Sequence, residues 1–305
     1  MAQATLLQIV QQATTEMGLP VPTQVVGNTA IDVVQLLGLA NACGYELQRE
    51  YDWQRLVVMY RFTTSYLNTT GTVVNGSPII SNIPSTAGLD TTYQLNGAGI
   101  NNDTFIQSVD SPNAVTMTQN STATGLNVAL TFGKTQYALP FNYDRVIDRT
   151  DWDKSKHWEM QGPETPQQWE WLLSGYISTG PRIRYRIFQN MFQIWPLTTT
   201  NEYLGFEYIM STWVVGADGT TYKNSFTADD DTCIFPNRLM VLMLKLKYFE
   251  AKNFDTTAYY RDYLRQLDIA KANDSGSQTL SFSPTTASPL IGWENIPDSG
   301  YGFGA

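Results

Sequence analysis

From Phe62 to Gly133 the chain carries no Lys, Arg, Glu or His. A stretch of that length without long charged side chains does not make solvated amphipathic helices, whose outer faces need them. Thr, Asn, Ser, Gly and Val dominate instead. Short β-favouring runs at Thr72–Val74, Thr91–Leu95, Thr104–Val109, Ala114–Thr118 and Val128–Phe132 are separated by NG, STAG, NGAG, DSPN and STATG. Each separator forms turns for a physical reason: Gly reaches positive φ, and Asn, Asp and Ser bond back to the backbone. Residues 66–133 therefore predict a small all-β module inserted into a parent domain made of 1–65 and 134–272. Its ends, Ser65 and Lys134, should then lie close together.

The parent segments read differently. In Ala30–Trp53 the residues Val33, Leu36, Leu37, Ala40, Gly44, Leu47 and Tyr51 recur at helical spacing, with Asp32, Gln35, Asn41, Glu46 and Arg49 between them. A second helical pair, Arg238–Ala251 and Thr256–Ala272, is the group that would cover that stripe. Ala4–Met17 predicts a shorter helix stopped by Gly18, and Asn28 or Thr29 is the expected cap of the long one. Thr165–Ser174 predicts a helix with Thr165 as cap and Pro166 in its first turn. Strands are expected at Arg55–Ser65, Gln136–Leu139, Arg145–Ile147 and Glu202–Thr212, and a hairpin at Arg182–Phe188 and Met191–Trp195. From Gln136 onward these should form one antiparallel sheet of about four or five strands on the helices. Val214–Asp231 reads as a polar loop. The fold class is α+β: a helical platform with a small antiparallel sheet and an inserted all-β module, plus an extended C-terminal arm over 273–305. The arm has isolated apolar anchors that include Phe282, Leu290, Trp293, Tyr301 and Phe303.

Charged residues are only 15 % of the chain, against about a quarter in an average soluble domain. On so aromatic a sequence this suggests a surface partly covered by other subunits. The net charge of −9 argues against a clamp on DNA phosphates and suits a protein that DNA merely passes. Cys43 and Cys233 form no CxxC motif and read as reduced structural thiols. Neither a secretion signal nor a membrane span is indicated.

Catalytic and cofactor chemistry finds little to use. His157 is the only histidine and sits among polar residues, so a surface position is expected of it. Asp229–Asp231 lack the glycine and terminal glutamate of a calcium loop and read as a solvated loop. Gly97 and Gly99 are followed by β material and make no phosphate cradle. Asp148, Asp151, Asp153, Glu159 and Glu164 leave a paired-carboxylate hydrolase formally open, though surface pairing with Arg149 and Lys154 explains them. Arg182, Arg184 and Arg186 alternate along one expected strand and so share a face. That row suits a carboxylate-bearing partner or neighbouring subunit, an ion-pair surface within the sheet, or DNA phosphate, in descending order. No cofactor, metal site or enzymatic activity is expected.

The succession TLLQIVQQATTEMGLPVP, LLGLANACGYELQREYDWQRL, YALPFNYDRVIDRTDWD, GPETPQQWEWL, RYRIFQNMFQIWP, GFEYIMSTWVV and FPNRLMVLMLKLKYFEAKNFDTTAYYRDYLRQLDIA resembles the head-to-tail adaptor, or head-completion, proteins of tailed bacteriophages. The resemblance covers 1–65 and 134–272. It implies a structural protein of the virion neck, made in the host cytoplasm. Copies, commonly about twelve, would ring the channel under the portal, let double-stranded DNA pass and bind a tail or nozzle protein. Arg182, Arg184, Arg186, Phe282, Leu290, Trp293, Tyr301 and Phe303 are the expected subunit or portal contacts. The segment 68–132 departs from the plainest members of that family. Its Ser, Thr and Asn content, with Tyr93, Tyr137 and the tryptophans, supports a different reading as a carbohydrate-binding or tail-associated adhesion protein.

Overall fold

The computed structural model describes residues 3–175, 180 and 182–274. The predicted arm, with Phe282, Leu290, Trp293, Tyr301 and Phe303, lies outside these residues except for Asn273 and Asp274, which end the last helix. The described chain is mixed α+β.

Helix α1, Leu6–Met17, starts at a reciprocal cap between Thr5 and Gln8 and stops at Gly18, whose φ of 70° closes the last turn. Helix α2, Ile31–Glu50, differs from expectation at its start. Its cap residue is Ala30, which has no side chain to offer, and Asn28 instead accepts the Ala30 N–H at 2.9 Å just outside the helix. A single 3-10 turn, Gln54–Leu56, leads into β1, Val57–Thr63.

The inserted segment forms β2 Tyr66–Val73, β3 Ile79–Ile80, β4 Tyr93–Gly97, β5 Thr104–Ser111, β6 Ala114–Met117 and β7 Gly125–Lys134. They pair antiparallel in the order β2-β7-β4-β5-β6-β3. Thr72 and Ser81 exchange backbone hydrogen bonds of 2.7 and 3.1 Å, which join β3 back to β2. The sheet thus closes on itself, and closure removes exposed edges that would otherwise pair with other chains. Ile80, Leu95, Ile106, Val115, Met117, Leu130 and Phe132 fill the interior as an apolar cluster separate from the main core. At Gly71 a Cβ would lie 2.7 Å from Ile80 Cγ2 and 2.8 Å from Leu130 Cδ1, so only glycine lets the strands close over those side chains. The two ends of the segment meet, Lys134 N–H donating to Ser65 O at 2.8 Å.

The chain continues through β8 Gln136–Ala138, β9 Tyr143–Val146, β10 Trp152–Asp153, β11 Trp158–Glu159, helix α3 Pro166–Leu173, β12 Arg184–Phe188, β13 Met191–Trp195 and β14 Tyr203–Met210. The expected single sheet is two. One has β14 at its centre, with β1 on one side and β9 and the β10–β11 hairpin on the other; the second runs β12-β13-β8. They face each other through stacked rings, Phe192 lying 4.7 Å from Tyr185 and 4.9 Å from Phe206. Alternation identifies a strand but not its neighbour. Here β8 leaves the barrel beside Ser65 and pairs with β13 instead of β1.

The predicted loop Val214–Asp231 also contains structure. Strands β15 Val214–Val215 and β16 Tyr222–Lys223 form a hairpin to which β17, Thr232–Cys233, adds. Asp218 makes the turn by accepting the N–H groups of Thr220 and Thr221 at 3.0 and 2.9 Å.

Helices α4, Asn237–Ala251, and α5, Thr257–Asp274, complete the platform. Met240, Val241, Met243 and Leu244 of α4 are buried on several sides, the mark of a helix inside a core; α1, α2 and α5 surround it. Glu16 of α1 bonds Arg238 and Lys245, Glu46 of α2 pairs with Lys247 at 2.8 Å, and Glu50 pairs with Lys271 at 3.0 Å.

Candidate functional site

The β12–β13 hairpin carries the arginine row. Its turn, Gln189–Asn190, has φ of 49° and 60°, the left-handed pair that a two-residue hairpin needs even where glycine is absent. Alternation places Arg184 and Arg186 on one face, but Arg182 precedes the strand, so the expected row of three is a row of two. Both strand arginines are engaged within the chain. Arg184 Nη1 donates to Glu164 Oε1 at 2.8 Å. Arg186 donates twice to Gln193 Oε1, at 3.0 and 2.9 Å, and its guanidinium lies 4.9 Å from the Trp169 ring and 4.6 Å from Phe188. Burial lowers its pKa, against the opposing pull of Glu170 and Asp103. The row is thus largely an internal clamp, and Arg182 is its exposed member.

Beside the clamp, two clefts separate the barrel from α3 and the hairpin. The smaller, about 160 Å³, lies between Gln94, Asp103, Thr135, Trp169 and Arg186. The larger, about 270 Å³, is bordered by Asn96, Asn102, Lys156, Trp195, Thr198 and Glu202. Burial raises the pKa of Asp103, helped by Glu170 and opposed by Arg186. Glu202 accepts from Thr200 Oγ1 at 2.6 Å and pairs with Lys156 Nζ at 2.8 Å. The buried hydroxyls of Thr135 and Thr198 have no hydrogen-bond partner. Amides, hydroxyls and a satisfied ion pair against a tryptophan wall can bind a polar ligand, and the one lysine present is already held by a carboxylate.

The carboxylates near residue 150 are not a solvated, paired set. Asp151 is buried, and burial pushes its pKa up to about 7, with Glu159 and Asp148 adding to the effect. The Tyr185 hydroxyl, coupled electrostatically to Asp151, is buried without a partner. Asp153 is buried too and accepts the N–H groups of Ser155 and Lys156 at 2.9 and 3.1 Å. His157 occupies an exposed turn with φ of 57°.

Asp229 and Asp231 also correct their expectation as part of a solvated loop. Asp229 accepts from the backbone N–H groups of Val25 and Val26, at 2.7 Å for the latter, and so ties down the linker after α1. Asp231, almost wholly buried, accepts from Lys223 Nζ at 2.7 Å and from the N–H groups of Thr227 and Ala228 at 2.8 and 2.9 Å. Among the described residues no cluster of three or more His, Cys, Asp or Glu could hold a metal ion, and no helix is long and apolar enough to cross a membrane. Cys43 and Cys233 are free, buried thiols. Burial raises both, Cys233 to about 12, so neither is a ready nucleophile.

A feature that periodicity passed over lies on the outside of the platform. Ile31, Val34 and Tyr45 of α2 are exposed, Ile31 at 84 %, as are Tyr260 and Leu264 of α5 and Phe254 between α4 and α5. Ile31, Val34 and Gly38 fall at three-to-four-residue steps, so the stripe was visible in principle beside the stronger Val33–Leu36–Ala40 stripe. The buried Asp151 and Asp103 had no such signal, because burial of a carboxylate leaves no spacing behind.

No family model matches the chain, and no curated protein matches it.

Proposed function

We propose that this chain is a structural head-to-tail adaptor subunit, assembling as a ring, commonly of about twelve copies, under a phage portal and joining capsid to tail. The observation that carries the reading is the uncovered apolar surface of the platform: Ile31, Val34 and Tyr45 on α2, with Phe254, Tyr260 and Leu264 at α5. Two apolar stripes on different helices of one subunit suit a head-to-tail contact, in which one surface meets a different surface of the next copy, and such contacts close when the rotation closes. The net charge of −9 would keep DNA phosphates weakly repelled within the ring. Arg182 and the tail anchors Leu290, Trp293, Tyr301 and Phe303 are the proposed further contacts to portal or neighbour. In this reading the barrel of residues 66–133 is a unit added to the adaptor domain, and the role assigned to the protein is structural.

Replacing Val34 or Leu264 with Asp tests this. Each position is exposed, so the subunit should keep its circular dichroism and Tm, while ring formation in the presence of portal is lost. Rings that form unchanged in both variants would overturn the assignment of these stripes.

A second reading, a carbohydrate-binding or tail-associated adhesion protein, is favoured by the larger cleft with Asn96, Asn102 and Trp195 on its walls. It predicts glycan affinity that disappears with Asn102→Ala.

A further inference from the structure

Strand β1 pairs with β14 on one side only; among the described residues nothing pairs with its other side. The phase of the ladder says which groups that edge presents. Thr64 N–H donates to Glu202 O at 2.8 Å, and the register runs from there through Phe62↔Leu204, Tyr60↔Phe206 and Val58↔Tyr208. Alternate residues of an antiparallel strand turn their N–H and C=O the same way. The backbone groups of Val58, Tyr60 and Phe62 therefore face β14, and those of Met59, Arg61 and Thr63 face outward. The strand is seven residues long without proline or bulge, a form that readily accepts another strand. On its inner face Val58, Tyr60 and Phe62 are only partly buried, as apolar residues are at an edge where the sheet could continue.

The described chain ends beside this edge. Asp274, the last residue of α5, accepts the Gln54 N–H at 2.6 Å and lies 3.7 Å from Arg55 Nε, immediately before β1 begins. From there Ser275, Gly276 and Ser277 can span about 10 Å. From Thr279 to Ser283 the residues alternate polar and apolar, with Leu280 and Phe282 the apolar members, and Gly276 and Pro284 flank the stretch. That is the period of a strand buried on one face, bounded by residues that interrupt one.

We infer that residues 278–283 of the same chain dock along the open edge of β1 as an added strand parallel to it, with Leu280 and Phe282 over Tyr60 and Phe62. Backbone groups of Met59, Arg61 and Thr63 supply affinity, and the two apolar side chains fix the register. Phe282 then serves its own subunit, and the anchors from Leu290 to Phe303 are launched from the end of β1. The inference holds whether or not the chain assembles into a ring.

Amide hydrogen exchange on the dilute full chain tests it. Amides of Met59, Arg61 and Thr63 should exchange at least about tenfold more slowly in the full chain than in one ending at Asp274, whereas those of Tyr60 and Phe62 should not change. Leu280→Pro in the full chain, which removes an N–H that would face β1 and leaves Asp274 and its contacts in place, should reproduce the loss. Equal exchange of the three amides in all forms would overturn the proposal. So would protection that appears only as protein concentration rises, which would make a neighbour's tail the occupant. Tail-dependent protection confined to the cleft lined by Trp53, Phe235 and Asn273 would likewise refute docking on β1.

Discussion

At Gly44 the usual rule for helical glycines reverses. Alanine in a helix interior is ordinarily the more stable by about 1 kcal/mol. A Cβ here would lie 2.1 Å from the ring of Trp213, a residue with no exposed surface. Gly44→Ala should therefore destabilise the protein by about 2–3 kcal/mol, read as a lowered denaturation midpoint; a raised midpoint would show that Trp213 can move aside. Asp151 gives the second prediction at this scale. Its pKa is pushed up to about 7 from an unfolded value near 3.8, so the folded state binds the extra proton between those limits. Stability from this group is fully present below pH ~4 and falls as pH rises through ~7. Asp151→Asn should abolish that decline, an effect on the order of a few kcal/mol, in unfolding measured from pH 4 to 8. Glu16 acts with the opposite sign. Burial opposes its ionisation, but hydrogen bonds from Lys245 and Arg238 outweigh it and hold the carboxyl at about 2. Its contribution is present above pH ~4.5 and lost as pH falls toward 2, and Glu16→Gln should weaken that acid sensitivity.

At the scale of elements, the chain enters and leaves the barrel at one pair of neighbouring strands. Because Lys134 N–H reaches Ser65 O at 2.8 Å and the barrel has its own apolar cluster, replacing 66–133 with a short glycine linker should leave the platform folded. Circular dichroism and a cooperative melt would check it, and loss of cooperative unfolding would show that the clefts at Asp103 and Trp195 conceal an obligatory interface. Much of this level was legible in the sequence. Most strands of the barrel, the stop at Gly18, the capped start at Thr165 and the hairpin at Gln189–Asn190 all follow from local chemistry. What could not be read was pairing across distance. Nothing in β8 says that it joins β13 and leaves β1 with an open edge, and nothing in Thr72 or Ser81 says that they close the barrel. Asp229 looked like solvated charge because its partners, the amides of Val25 and Val26, are some two hundred positions away. Arg184 and Arg186 shared a face as alternation requires, and Gln193 lies opposite Arg186 by the hairpin's own register, yet the partner of Arg184, Glu164, was chosen by the tertiary fold.

For the whole molecule, the account joins a helix buried on nearly all sides, α4, to helices around it that still present apolar residues outward. Ile31, Val34, Tyr260 and Leu264 leave much of their apolar surface outside the subunit, and low charge over an aromatic chain points the same way. The adaptor reading makes these residues the seam between copies. The most direct test of that reading is to mix the full chain with the portal protein it calls for and determine the mass and image of the complex. The account predicts a closed ring of this chain, about twelve copies, seated coaxially on the portal. A chain that remains monomeric and shows no affinity for the portal under those conditions would contradict it.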